Sequence, residues 1–163
     1  SLISSQQMIK IVHKIGDFAE SFGVKIGIEN DGGTISSYLK LFEKIKHPCI
    51  GATLSVGHCA FFKEVLLIEN LSEQIEILNR VIINLIQTLR RRIFLLHVHN
   101  VEFISWRDHR SLPNGVVNFL ALINALMNIG YEGFFIIELE ERECEEKAFE
   151  SRGYLTVLLN GSN

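Results

Sequence analysis

The chain has 163 residues, 47% of them hydrophobic and 21% charged, with a formal net charge of −3. That composition excludes a disordered chain and supplies enough apolar residues for one compact core. The mild acidity speaks against a nucleic-acid binder that relies on phosphate neutralisation, and no apolar run reaches the roughly 20 residues that cross a bilayer. Cys49, Cys59 and Cys144 are odd in number and have no short pairing. They read as neither a disulfide framework nor a zinc knuckle, so a reducing cytoplasm is expected. The chain starts with Ser1, a hint of a processed product or a fragment.

In chain order, Met8, Ile11, Ile15, Phe18 and Phe22 recur at helical spacing, and Gly23 closes that helix. Val24 to Ile28 is a short β-branched run that reads as a buried strand. Thr34 caps a helix to about Lys46, which His47-Pro48 breaks. Ile50 to Val56 is a second strand. Ser72 is the expected cap of a long helix to about Arg91, with the stripe Ile75, Leu78, Ile82, Leu85 and Leu89. Ile93 to Val98 is a third strand, and Asn100 to Gly115 is a polar loop long enough to suggest function. A helix is expected over Val116 to Ile129, a fourth strand over Phe134 to Leu139, and a final helix from about Glu141 to Leu159. Continuous apolar strands separated by helices predict an α/β protein of parallel β/α units, with 1–163 as a single domain.

Position carries the functional signal. Each strand ends in a residue able to bind a ligand: Glu29, then His58 after the second strand, then His97, then Glu138. The carboxyl ends of parallel strands form one rim, where ligands bind. Two carboxylates and two imidazoles meeting there suit a divalent ion such as Zn2+ or Mn2+. Taken singly, Glu29 reads as a helix cap and His58 as a turn residue. Glu138 differs, because a carboxylate inside the apolar run Phe135 to Leu139 needs a partner. His97 and His99 are expected to face opposite sides, with His97 inward and His99 structural. Arg90-Arg91-Arg92 reads as a solvated helix end, and the cysteines as packing groups.

The segments Gly23 to Asn30, Ile50 to His58, Leu96 to Asn100 and Gly130 to Glu138 together resemble the xylose-isomerase-like TIM-barrel superfamily. That group includes sugar phosphate isomerase/epimerases, ketose 3-epimerases and endonuclease IV. The resemblance implies TIM-barrel-type (β/α) units, here four strands matching the C-terminal half of a barrel: a half-barrel or a truncated one. It implies a divalent metal (Mn2+, Zn2+ or Mg2+) held by Glu29, His97 and Glu138. His58 matches a residue that contacts substrate or a second metal. Asp108-His109 and Pro113-Asn114-Gly115 look like the family's following loop, with Pro113 in place of its first Gly. Ser55 stands where the family has an Asp ligand, which weakens metal occupancy, and Asn100 stands where many members have Asp.

What this implies for function is a sugar or sugar-phosphate isomerase/epimerase. Glu29 and Glu138 would act as acid and base beside a carbonyl, while His58, Arg107 and His109 would meet substrate oxygens or a phosphate. A full barrel needs about 250 residues and eight strands. Four strands would leave two unpaired sheet edges. A homodimer or higher assembly, or a missing N-terminal half-barrel, is therefore the expected partner, with no nucleic acid and no membrane. Two other readings compete: an interaction module without catalysis, which Ser55 and Asn100 favour, and an endonuclease-IV-like phosphodiesterase. The second is disfavoured by Arg107, which sits two positions before His109 where an Asp would be needed.

Overall fold

The computed structural model describes residues 5–161. Four strands, β1 (Ile26–Glu29), β2 (Ile50–Ser55), β3 (Ile93–Val98) and β4 (Phe134–Ile137), form one parallel sheet in the order β1-β2-β3-β4. Helix α1 (Ser5–Ser21) precedes β1, and α2 (Ile35–Lys44) joins β1 to β2. A 3-10 turn over Gly57–Phe61, the short α3 (Lys63–Leu66) and the long α4 (Leu71–Leu89) join β2 to β3. Helix α5 (Phe119–Asn128) leads to β4, and α6 (Cys144–Gly161) follows it. Sequential parallel neighbours with helical crossovers are the unit from which TIM barrels are built, and four of them make half of one.

Local chemistry sets the helix boundaries, and in several places it moves them from where periodicity alone puts them. Thr34 caps α2 as expected: its hydroxyl accepts the Ser37 amide at 3.1 Å, and the Ser37 hydroxyl accepts the Thr34 amide at 3.2 Å. The cap of α4 is Asn70 rather than Ser72, because the Asn70 carboxamide oxygen accepts the Glu73 amide at 3.0 Å. Helix α5 starts three residues later than expected. The Val116 amide is committed to the Val101 carbonyl and the Val117 amide to Asn100 Oδ1, so Asn118 becomes the cap. Helix α6 begins at Cys144, since Glu141 spends its carboxylate on the Ser111 amide. Strand β4 ends at Ile137, though the Glu138 amide still donates to the Val98 carbonyl at 3.2 Å.

The core lies between the sheet and helices α2, α4 and α5. Ala52, Leu54, Leu96 and Val98 pack there against Phe42, Leu78, Ile82, Leu85, Leu122 and Ile123. Burying side chains of this size stabilises by roughly 1.5–3 kcal/mol each before conformational entropy is subtracted. The opposite face of the sheet is open, with Phe134 79% and Ile136 45% exposed. The apolar stripe that marks α1 as a helix is also turned outward: Met8, Ile11, Ile15, Phe18 and Phe22 are all exposed, while Ala19 is buried.

Candidate functional site

The C-terminal ends of the four strands deliver their polar residues to one place. Glu29 closes β1, His97 lies in β3 and Glu138 follows β4. Their ligand atoms lie within 4.8 Å of one another. His97 Nδ1 stands 3.2 Å from Glu29 Oε1 and 3.2 Å from Glu138 Oε2. Three further groups complete a closed circuit. Glu138 Oε2 is 3.6 Å from His109 Nε2, and His109 Nδ1 is 3.2 Å from Asp108 Oδ1. Asp108 Oδ2 is 3.4 Å from His58 Nε2, and His58 Nδ1 is 3.4 Å from Glu29 Oε1. Three carboxylates and three imidazoles thus alternate around the mouth of the sheet.

The sequence missed Asp108 as a bridging group, because only the turn of the loop after β3 places it between His58 and His109. That loop is pinned at both ends. Asn100 and Arg110 exchange backbone hydrogen bonds of 2.7 and 3.2 Å, and the Trp106 indole donates to the Ala60 carbonyl at 3.3 Å. Asn100, read as a lost charge, is a buried structural amide. It donates to the Leu112 carbonyl, which a carboxylate cannot do, and accepts the amides of Val101 and Val117. Asn30 ties β1 to β2 by accepting the Ser55 amide and donating to the Ser55 carbonyl, and its own carbonyl accepts His58 Nδ1–H at 3.1 Å. Arg107 is exposed in the loop, and its guanidinium makes no ion pair with these carboxylates among the described residues.

His99 does not face away from His97. Residues two apart on an extended chain share a side, and the His99 ring stacks on His109 with centroids 4.1 Å apart, 5.2 Å from His58. It is fully buried, its Nδ1 accepts the His109 amide at 2.9 Å, and its Nε2 lies 2.9 Å from Ser55 Oγ. With Nδ1 an acceptor, Nε2 carries the proton and donates it to the serine hydroxyl. Burial, reinforced by the neighbouring imidazoles of His109, His58 and His97, lowers its pKa to about 3. The approach is possible because residue 57 is glycine: a Cβ there would run into the His99 ring. Cys59, also fully buried, has its thiol pushed well above the ordinary range by burial and stays neutral.

Three groups of side chains among the described residues have the spacing of a metal site: Glu29–His97–Glu138, His58–His99–His109 and Asp17–Glu20–His47. A ligating histidine normally donates its second N–H to an acceptor. His99 accepts a backbone amide at Nδ1, and so does His47, from Cys49 at 3.1 Å. Neither ring can offer Nε2 to a cation without losing both protons. The Glu29–His97–Glu138 group has no such conflict. In addition, Glu138 Oε2 is a buried oxygen that accepts no hydrogen bond, so its lone pairs are free to coordinate a cation.

Comparison with known proteins identifies the family and the fold. The family described as xylose isomerase-like TIM barrel matches residues 4–156. An uncharacterised protein of Methanocaldococcus jannaschii is 29% identical over 133 residues, which covers 77% of this chain and 40% of that protein. A D-tagatose 3-epimerase-like protein of known structure superposes with a TM-score of 0.68 at 25% identity, over 97% of this chain and 55% of its own. A xylose isomerase domain protein from Planctomyces limnophilus has the same fold, with a TM-score of 0.69 at 16% identity, over 97% of this chain and 55% of its own. The chain therefore spans about half the length of these structures. No helix among the described residues is long and apolar enough to cross a membrane.

Proposed function

Because the chain belongs to the xylose isomerase-like TIM barrel family, we propose that it is a sugar isomerase/epimerase-like protein that moves a proton on the carbon next to a carbonyl. The observation that carries this reading is the convergence of Glu29, His97 and Glu138, with Glu138 Oε2 buried and without a hydrogen bond. Those three residues would hold a divalent cation (Mn2+, Zn2+ or Mg2+), whose chemistry is to polarise the substrate carbonyl as a Lewis acid. Glu29 and Glu138 stand on either side of His97. One carboxylate takes the proton beside the carbonyl and the other returns it. His58, its Nδ1–H held by the Asn30 carbonyl, and His109, from the loop, flank the two glutamates where a substrate oxygen would meet them. Asp108 positions both rings. Arg107, exposed on the same loop, is assigned to an outer hydroxyl or phosphate.

Ser55 replaces an anionic ligand by a hydroxyl already occupied by His99, so cation affinity should be modest. Titration of the protein with Mn2+ or Zn2+, read by calorimetry, should give one site per chain. Glu138→Gln should abolish that binding and lower any ketose epimerase rate at least about 100-fold. Absence of stoichiometric binding, with Glu29→Gln and Glu138→Gln leaving the rate untouched, would favour the reading of an interaction module. We also propose that the open sheet face and the outward stripe of α1 are covered by a second half-barrel, most simply another copy of the chain. A single-chain mass by light scattering would refute that. The three free thiols support the expectation of a reducing, cytoplasmic setting.

A further inference from the structure

At the other end of the strands, a cavity of about 360 Å3 opens among the connections that enter β1, β3 and β4. Its lining includes Lys25, Arg90, Arg91, Phe94, Tyr131 and Glu132. Three cations therefore face one carboxylate. Among the described residues, Lys and Arg form ion pairs only as Arg80–Glu76, Arg110–Glu141 and Lys147–Glu150, so Lys25, Arg90 and Arg91 have no anionic partner. Arg92, the next residue, is spent on structure: it donates to the carbonyls of Phe42 and Ile45 at 2.6 and 2.9 Å.

The backbone is shaped around this hollow. Arg90 has φ 49° and ψ −122°, a conformation that costs a residue with a Cβ, while its amide still closes α4 on the Ile86 carbonyl. Strain of this kind persists where the surroundings enforce it and clusters at binding sites. Gly51 supplies room: a Cβ there would stand 2.5 Å from the Arg92 carbonyl and 2.7 Å from the Phe94 ring. The ring settles into that space, and Lys25 Nζ lies 5.0 Å from its centroid. A second hollow of about 380 Å3, lined in part by Lys46 and Pro48, shares Arg91 and Phe94 with the first. The result is a two-lobed cationic trough with an aromatic floor.

We propose that this trough binds a small organic phosphate carrying at least two phosphate groups. Guanidinium forks match phosphate oxygens in pairs, and a lysine ammonium adds a point charge. Arg91, common to both lobes, stands where one ligand would bridge them, with Lys25 and Arg90 on one side and Lys46 on the other. The site lies at the opposite end of the strands from the Glu29–His97–Glu138 centre and does not depend on it.

The test is a titration of the intact protein with pyrophosphate at constant ionic strength, following the amide resonances of Phe94, Gly130 and Gly133, with chloride and inorganic phosphate as comparison ions. Saturable shifts at those positions are expected with pyrophosphate, and weaker ones with inorganic phosphate. Arg91→Gln and Lys25→Gln should each weaken binding about tenfold, as loss of one charge-assisted contact predicts, with unliganded melting unchanged. Shifts that follow ionic strength alone, or an affinity that neither variant alters, would overturn the site. Equal affinity for inorganic phosphate would overturn the two-phosphate assignment.

Discussion

The two ends of the sheet carry opposite chemistries on the same strands. The rim at the carboxyl ends is a circuit of carboxylates and imidazoles, each touching two others. The floor at the amino ends gathers Lys25, Arg90, Arg91 and Lys46, none of which forms an ion pair among the described residues. Each end relies on a glycine that admits a ring, Gly57 under His99 and Gly51 under Phe94. They differ in what positions the functional groups. Rim side chains are held by close carboxylate–imidazole pairs and by hydrogen bonds with backbone groups, whereas the floor is shaped chiefly by backbone conformation. Changes at the rim should therefore propagate, and changes on the floor should stay local.

The largest effect expected from this contrast is at Gly57. Gly57→Val places atoms in the space of the His99 ring and must displace it from both Ser55 and the His109 amide. Overpacking of this kind costs about 1–3 kcal/mol, and the two broken buried hydrogen bonds add to it. Urea denaturation should show the loss, and the loop carrying Asp108 and His109 should lose hydrogen-exchange protection while the floor keeps its own. A variant of unchanged stability would mean that the rim is less tightly interlocked than its distances imply.

Acid should separate the two ends next. His99 titrates near pH 3 when folded and near its ordinary value of 6.5 when unfolded. Between those values the unfolded chain binds one more proton, so the stability His99 contributes is present above about pH 6.5 and is lost as pH falls, by about 1.4 kcal/mol per pH unit. His99→Gln removes that proton uptake. The variant should be less stable than the parent at neutral pH and should lose less on acidification. Parallel stability–pH curves for the two proteins would exclude His99 as the source.

How far the sequence anticipated each end follows from the same contrast. The strands were legible because parallel strands buried against helices are continuous apolar runs, and the rim was legible because its residues occur at strand ends. Four positions spread from Glu29 to Glu138 could thus be assigned to one place before any coordinates. Asp108, Asn30 and the Ser55–His99 pair were not legible, since their roles depend on where loops turn and which amide each side chain meets. Helix boundaries shifted for a like reason: Val117 and Glu141 are used by the loop after β3, which periodicity does not register. The outward stripe of α1 has helical spacing, but spacing does not say which side is covered. On the floor, Arg90-Arg91-Arg92 read as a solvated helix end. Nothing in those three letters distinguishes Arg92, bound to two carbonyls, from Arg90, held in a left-handed turn.

That turn supplies the smallest and sharpest of these predictions. Glycine adopts positive φ without the clash that a Cβ brings. Arg90→Gly should therefore raise stability by up to about 1 kcal/mol, the strain relieved less the extra freedom that glycine gives the unfolded chain. The charge lost is exposed and forms no ion pair among the described residues, so its removal should cost little by itself. If the strain is maintained to aim the Arg90 side chain into the trough, the same variant should bind pyrophosphate more weakly although it melts higher. Stability and affinity moving in opposite directions at one residue would mark the floor as selected for a ligand. An unchanged affinity would make the turn only the way α4 ends.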